Sequence, residues 1–335
     1  MTIDIIQTQS GLDDLKSIWN PLLAQSASHV PFLRHEYLST WWETKGGGEW
    51  QEGELFILAW RESGGDIRGI APLFLAQERI LFLGSFEISD YLDFITPPNL
   101  LPSFLGRVFE FLSNDFTDWK TLDLYNLPEA SPTIPVIKKI GEKSNWVVNS
   151  EILQPSPGLI LPESWEEYLS SLEDRYRNEI ERKLRKAEEY FLPVDWYIVD
   201  ESQDLDQELD DFLELMRNNR EKAAFLTEDM AAQIKTSAEK AYKAGWLQLA
   251  FLTVGDLKAA GYLNFDFDHK IWIYNSGINT MFENIYPGWV LLAKLIQWSI
   301  EEGKTMLDFM RGGEGYKYHF GGKDSSVVRV QARRT

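Results

Sequence analysis

The chain has 335 residues, 44 % of them hydrophobic and 25 % charged, a formal net charge of −19 and no cysteine. The length predicts two domains or one duplicated unit, and the composition excludes a disordered or fibrous chain. Disulfides, thiolate metal sites and thiol nucleophiles are excluded, and the negative charge speaks against coating DNA or an anionic membrane.

Of the four histidines, His29, His35, His269 and His319, no two have metal-ligand spacing, so no metal is expected. The N-terminus lacks a basic, then apolar, leader, and no run of 18 apolar residues occurs. The expectation is a cytoplasmic protein without a membrane span.

In chain order, Leu12, Leu15, Ile18 and Trp19 have helical spacing over 11–26, with Pro21 expected to kink or end the element. A second helix over 34–44 stops at Gly46-Gly47-Gly48. Strands over 54–62 and 67–77 flank a Ser63–Asp66 turn and read as a hairpin. A strand over 79–84, a loop or short strand over 89–99, a helix over 100–114 and a strand over 121–129 complete the first half. Pro155, Pro157 and Pro162 mark an extended connection, and Ser164 with Glu167 is a capping box for a helix to about 190.

The second half repeats the order. Helices over 207–220 and 227–244, the latter capped by Thr227, precede strands over 246–254, 258–267 and 270–277. A helix over 288–303 stopped by Gly303 and a strand over 305–313 follow. Gly69 and Gly261 occupy matching places, as do the Leu-Asp pairs ending at Asp123 and Asp308. Two copies of one α/β unit are therefore expected, over 1–155 and 156–335.

Two charge blocks interrupt this pattern. Residues 175–186 hold six bases against two acids, and residues 199–214 hold eight acids and no base. The basic run reads either as a solvated helix face or as a local site for an anionic ligand.

The sequence has no P-loop, no G-x-G-x-x-G and no G-x-S-x-G elbow. Pro287-Gly288 opens a helix, where unpaired N–H groups and the dipole favour an anion. The run Arg311–Lys323 packs five Gly and four aromatic or His residues into 13 positions, which exceeds the needs of a plain loop.

This arrangement resembles the GNAT acyltransferase superfamily. The helix start Pro287-Gly288 and then Asp308, Phe309, Arg311, Gly312, Tyr316 and Lys317 are similar to its CelD-like acetyltransferases, which are associated with cellulose and exopolysaccharide biosynthesis. Ser89-Asp90-Tyr91 and the basic helix Arg175–Lys186 also look like features of that group. The Tyr-Lys…Phe-Gly-Gly ending is similar to the FemABX peptidyltransferases, which are tandem GNAT-like folds.

The resemblance implies an α/β fold of two mixed, mostly antiparallel sheets flanked by helices. It implies an N-acyltransferase with acetyl-CoA or another acyl-CoA as co-substrate and an amine of a sugar or cell-envelope precursor as acceptor. The donor site would comprise Tyr274, Asn275, Ser276, Pro287 and Gly288. Lys317 would stabilise charge, Tyr316 would protonate the leaving thiolate, and Asp308 would act as base or orient Arg311. Asp90, Tyr91, Arg175 and Arg311 would meet the acceptor. The usual pyrophosphate loop Q/R-x-x-G-x-G/A is absent between 275 and 290. Alternatives are an aminoacyl-tRNA-dependent peptidyltransferase, the one reading that requires tRNA, and a non-catalytic binding protein.

Overall fold

Two six-stranded sheets and one of three strands, flanked by helices, form the computed structural model, which describes residues 2–334. The chain divides into two compact units, residues 1–155 with 325–335 and residues 156–324.

The strands of the first unit are β1 (Thr2–Ile6), β2 (Glu54–Leu55), β3 (Ile57–Arg61), β4 (Ile67–Ala71), β5 (Leu73–Ala76), β6 (Arg79–Phe82), β7 (Thr121–Pro128) and β8 (Trp146–Pro155). The second unit contains β9 (Gly158–Ile160), β10 (Val194–Ile198), β11 (Leu247–Val254), β12 (Leu257–Phe267), β13 (Lys270–Ile278) and β14 (Met306–Asp308). The last strand, β15 (Ser326–Arg334), lies between β7 and β8. This corrects the expected 156–335 half. Val327, Val330 and Ala332 are fully buried there, and Arg329 forms a two-pronged pair with buried Asp123 at 2.8 and 2.9 Å.

In the first unit the expected hairpin over 54–77 bends between two sheets. Pro72 has no N–H for a ladder, and it separates β4, which pairs with β3, from β5, which pairs with β2 and β6. The helix Leu101–Asn114 then leads to β7, parallel to β6. Helix 11–26 is two pieces, Gln9–Asp14 and Lys16–Leu23, with Pro21 inside the second. The loop after β6 is fixed by Asp93, whose buried carboxylate accepts from Ser28, Ser131 and Thr133 at 2.5, 2.5 and 2.6 Å.

In the second unit β11, β12 and β13 form an antiparallel meander. The β12–β13 turn has Asp268 and His269 both at φ 56°, the geometry that a two-residue hairpin requires. The helix Pro287–Glu301 crosses back, and β14 pairs parallel to β13. The meander and helix share an apolar core that includes Leu252, Ala260, Ile271, Leu291, Leu295 and Phe309. The expected helix to residue 190 breaks at extended Leu172 into Trp165–Ser171 and Asp174–Glu188. Ser164 caps the first piece, accepting from the Glu167 N–H at 3.1 Å. No helix among the described residues is long and apolar enough to cross a membrane.

Candidate functional site

The parallel pairing of β13 and β14 lasts only from Lys270–Trp272 against Met306–Asp308. Beyond Trp272, β13 continues to Ile278 with β12 on one side, so the strands splay. The register against β12 shifts between Leu263, opposite Asn275, and Asn264, opposite Ile273, which leaves Tyr274 as an extra residue in β13. Such a bulge redirects the backbone that follows it, here Asn275–Gly277.

A cavity of about 720 Å³ opens along this part of β13, with Ser276, Gly277 and Ile278 in its wall. The helix Leu205–Arg217 supplies Leu215 and Met216, and the helix Arg220–Phe225 supplies Arg220 and Lys222. A Cβ on Gly277 would lie 2.6 Å from the Leu215 and Met216 backbone, so glycine is what lets that helix close onto the strand. The far wall is Glu283, Tyr286, Pro287, Gly288 and Trp289.

The helix start at Pro287 keeps one free N–H in its first turn. Pro287 has no N–H, and the Trp289 and Val290 N–H groups both donate to the Tyr286 carbonyl. The Gly288 N–H has no partner among the described residues. Tyr286, at φ 56°, turns the chain into the helix, and three cations surround its ring: Arg182, Lys183 and Lys186 at 5.8, 4.7 and 5.2 Å. Part of the basic run therefore faces this helix terminus. The dipole and the free N–H favour negative charge at this terminus, with Arg182 and Lys186 over Tyr286 and Arg220 and Lys222 across the cavity, against Glu283 in the same wall.

Lys222 was not singled out in the sequence. Its Nζ donates to Asn275 Oδ1 at 2.9 Å and to the Ser276 carbonyl at 2.5 Å, which ties its helix to the stretch of β13 beyond its pairing with β14. Burial pulls its pKa down to about 8, against the opposing attraction of Glu314. Only its position opposite a bulged strand distinguishes it from other lysines, and no sequence signal carries that.

The structure brings Ser276, Pro287 and Gly288 into the cavity wall, with Asn275 just behind as the Lys222 acceptor. Tyr274 stacks on Phe265 at 5.0 Å and does not line the cavity.

The Gly-rich run after β14 has a different task from the one expected. Lys317 is 2 % exposed, and its Nζ donates to the Met310, Arg311 and Gly312 carbonyls at 3.1, 2.7 and 3.1 Å and pairs with Glu314 at 2.8 Å. An ammonium has three N–H bonds, and these acceptors consume them, so Lys317 is the tie of the loop rather than a free charge for a substrate. Asp308 Oδ1 accepts the Met310 N–H at 2.7 Å, capping the strand end where Met310 has φ 64°. This gives Asp308 a structural task beside the one expected of it, as base or as the residue that orients Arg311. Tyr316 is outside the cavity wall, and burial together with Glu314 holds its phenol well above the ordinary range.

The expected acceptor residues do not line the cavity either. Arg175 is exposed at the start of its helix, paired with Glu173 at 2.9 Å and stacked on Tyr176. Arg311 contributes its carbonyl to Lys317. Asp90 and Tyr91 belong to the first unit, where Tyr91 is buried near Phe32. No group of three or more potential ligands able to hold a metal occurs among the described residues.

Comparison with known proteins agrees with this geometry. Residues 174–318 match the family model described as an acetyltransferase (GNAT) domain. Nothing matches among the curated proteins. Among solved structures, FemX is similar over 98 % of this chain and 97 % of its own, at 12 % identity and TM-score 0.68. The L-PGS structure from Bacillus licheniformis aligns over 94 % and 90 %, at 12 % identity and TM-score 0.58. A tandem GNAT protein from the clavulanic acid biosynthesis pathway aligns over 98 % of both chains, at 11 % identity and TM-score 0.50. At such identities the likeness is one of fold: the chain has a tandem GNAT-like α/β fold, and the match to the GNAT acetyltransferase model lies within its second unit.

Proposed function

We propose that the protein is an N-acyltransferase that takes its acyl group from an acyl-CoA and passes it to an amine of a sugar or cell-envelope precursor. The observation that carries this reading is the meeting of the splayed β13, the Gly288 N–H and Arg220 in one cavity, with Arg182 and Lys186 over the ring of Tyr286 in its wall. A coenzyme A thioester needs both parts: cationic and N–H groups for its phosphates, and an open strand edge along which its amide-bearing arm can pair.

In this reading the acceptor amine attacks the thioester carbonyl directly. The protein contributes positioning, worth several orders of magnitude in effective concentration, and hydrogen bonds to the developing oxyanion. The backbone near Ser276 is the oxyanion donor in this reading, and its N–H would exchange Asn275 Oδ1, at 2.9 Å, for the acyl oxygen. No thiol nucleophile or metal is needed for direct attack.

A second reading keeps the acyl transfer and changes the donor to an aminoacyl-tRNA. Its support is the full-length likeness to FemX and the stretch 275–290, which lacks the usual pyrophosphate loop and holds the 3-10 turn Thr280–Ile285 instead. Against it stands the net charge of −19, a poor match to a long polyanion.

Calorimetric titration with acetyl-CoA, longer acyl-CoAs, CoA and aminoacyl-tRNA decides between them. Binding of a CoA thioester that weakens with added salt is expected. A protein that binds no member of the CoA series but binds the charged tRNA overturns the first reading in favour of the second.

A further inference from the structure

We infer that Lys222 carries the proton in the transfer: its neutral amine accepts it from the attacking nitrogen, and the resulting ammonium delivers it to the departing sulfur. This rests on the acyl-CoA reading above.

The geometry sets the side chain up for that exchange. Nζ lies in the cavity wall beside the open edge of β13, where the thioester would lie. Two strong acceptors, Asn275 Oδ1 at 2.9 Å and the Ser276 carbonyl at 2.5 Å, occupy two of its tetrahedral positions. Ser276 Oγ, at 3.4 Å, is too distant to be a strong third partner. The remaining position holds a hydrogen in the ammonium and a lone pair in the amine. Either form keeps the same two bonds, so gaining or losing the proton requires no movement of the side chain.

Charged groups of both signs share the cavity with Nζ. Glu314, on the segment after β14, favours the ammonium, and Glu283 on the 3-10 turn lines the same cavity. Arg220, on the same helix as Lys222, lines it too. Burial outweighs Glu314, which brings Lys222 to about 8, near the ordinary thiol value of about 8.5. Proton exchange with a leaving thiolate is then nearly thermoneutral, the condition under which general acid–base catalysis is most effective. Tyr316, the expected proton donor, does not line the cavity, and its phenol is held too high to exchange readily. Lys317 is committed to backbone carbonyls.

The step balances without a further reactant. A nitrogen–carbon bond forms as the carbon–sulfur bond breaks, one proton leaves nitrogen and one arrives on sulfur, and Lys222 ends as it began.

The test uses the full chain, with acetyl-CoA as donor and glucosamine as acceptor. Lys222 is titrated by NMR of 13C/15N-labelled lysine, assigned through Lys222→Met, and CoA release is followed from pH 6 to 10 in wild type, Lys222→Met and Lys222→Arg. The expected midpoint is near 8. Both variants should lose about 100-fold in kcat and the pH limb, with donor KM changed by less than about threefold. Lys222→Arg preserves charge and donors but does not release a proton, so recovery of wild-type turnover in it overturns the proposal and leaves Lys222 a strand tie. A midpoint of 10 or above overturns it too, and decides alone where glucosamine is not acetylated. Failure of wild type to bind acetyl-CoA in calorimetry overturns the acyl-CoA reading and the proposal with it, whereas normal donor binding with either adverse result above overturns the proposal alone.

Discussion

Lys183 Nζ lies 3.1 Å from the centroid of the Trp289 ring, with Glu179 at 2.8 Å completing its surroundings. Only 5 % of Lys183 is exposed, and burial lowers its pKa in spite of Glu179. One buried cation thus fastens the basic helix Asp174–Glu188 to the first turn of the helix Pro287–Glu301. Replacing it by methionine keeps the bulk and removes the cation–π contact, at a cost of about 1–2 kcal/mol. Lys183→Met should therefore lower the melting temperature by about 2–8 °C, measured by calorimetry. An unchanged transition would mean that the aromatic contact contributes nothing.

Arg182 and Lys186, by contrast, are exposed and face the Tyr286 ring from the same helix. Their charge is available to a ligand. The double variant Arg182→Glu/Lys186→Glu should weaken acetyl-CoA binding at least about tenfold at low salt, and the gap should narrow at high salt as the charges are screened. Equal affinities in wild type and variant would move the phosphates elsewhere.

Lys317 makes a stability prediction where the sequence suggested a kinetic one. Lys317→Met leaves the carbonyls of Met310, Arg311 and Gly312 without their donor. A loss on the order of 3 kcal/mol is expected, since hydrogen bonds to a charged group each contribute about 1.5–3 kcal/mol and compensation by water is partial. Urea denaturation of wild type and variant gives the difference. A variant of full stability with no turnover would restore Lys317 to the chemistry.

Asp123 and Arg329 join β7 to β15 across the first unit, with Arg79 at 3.4 Å from the same carboxylate. Asp123 is fully buried, and Asp123→Ala takes from the part-exposed Arg329 its main partner while Glu151 remains at 3.1 Å. About 1–3 kcal/mol should be lost, an effect expected in amide exchange of β7, β8 and β15. Protection of β11–β13 should be unaffected, because those strands belong to the other unit.

Glu49 gives the first unit a pH dependence. Partial burial, with Glu87 adding repulsion, raises its pKa to about 7. A carboxyl raised on folding is easier to ionise in the unfolded chain, so its contribution is unpenalised below the ordinary value near 4.5 and becomes unfavourable as pH rises towards 7. Glu49→Gln should match wild type at pH 4 and exceed it at pH 7.5, by no more than about 1 kcal/mol because the side chain is largely exposed. Urea midpoints at the two pH values measure this.

What the residues determined by themselves was local. Periodicity, paired turn residues and helix caps marked the β11–β13 meander, the Thr227 and Ser164 helix starts and the opening of a helix at Pro287, because each depends on neighbours in the chain. What only the tertiary structure decided was which side chains meet. Lys222 reaches Asn275 across 53 positions, through a bulge that no periodicity displays, and Arg329 reaches Asp123 across 206. The same limit reassigned Lys317. A Tyr-Lys in a glycine-rich run looks like chemistry in one dimension, but three backbone carbonyls turned towards one ammonium make it the support of the loop.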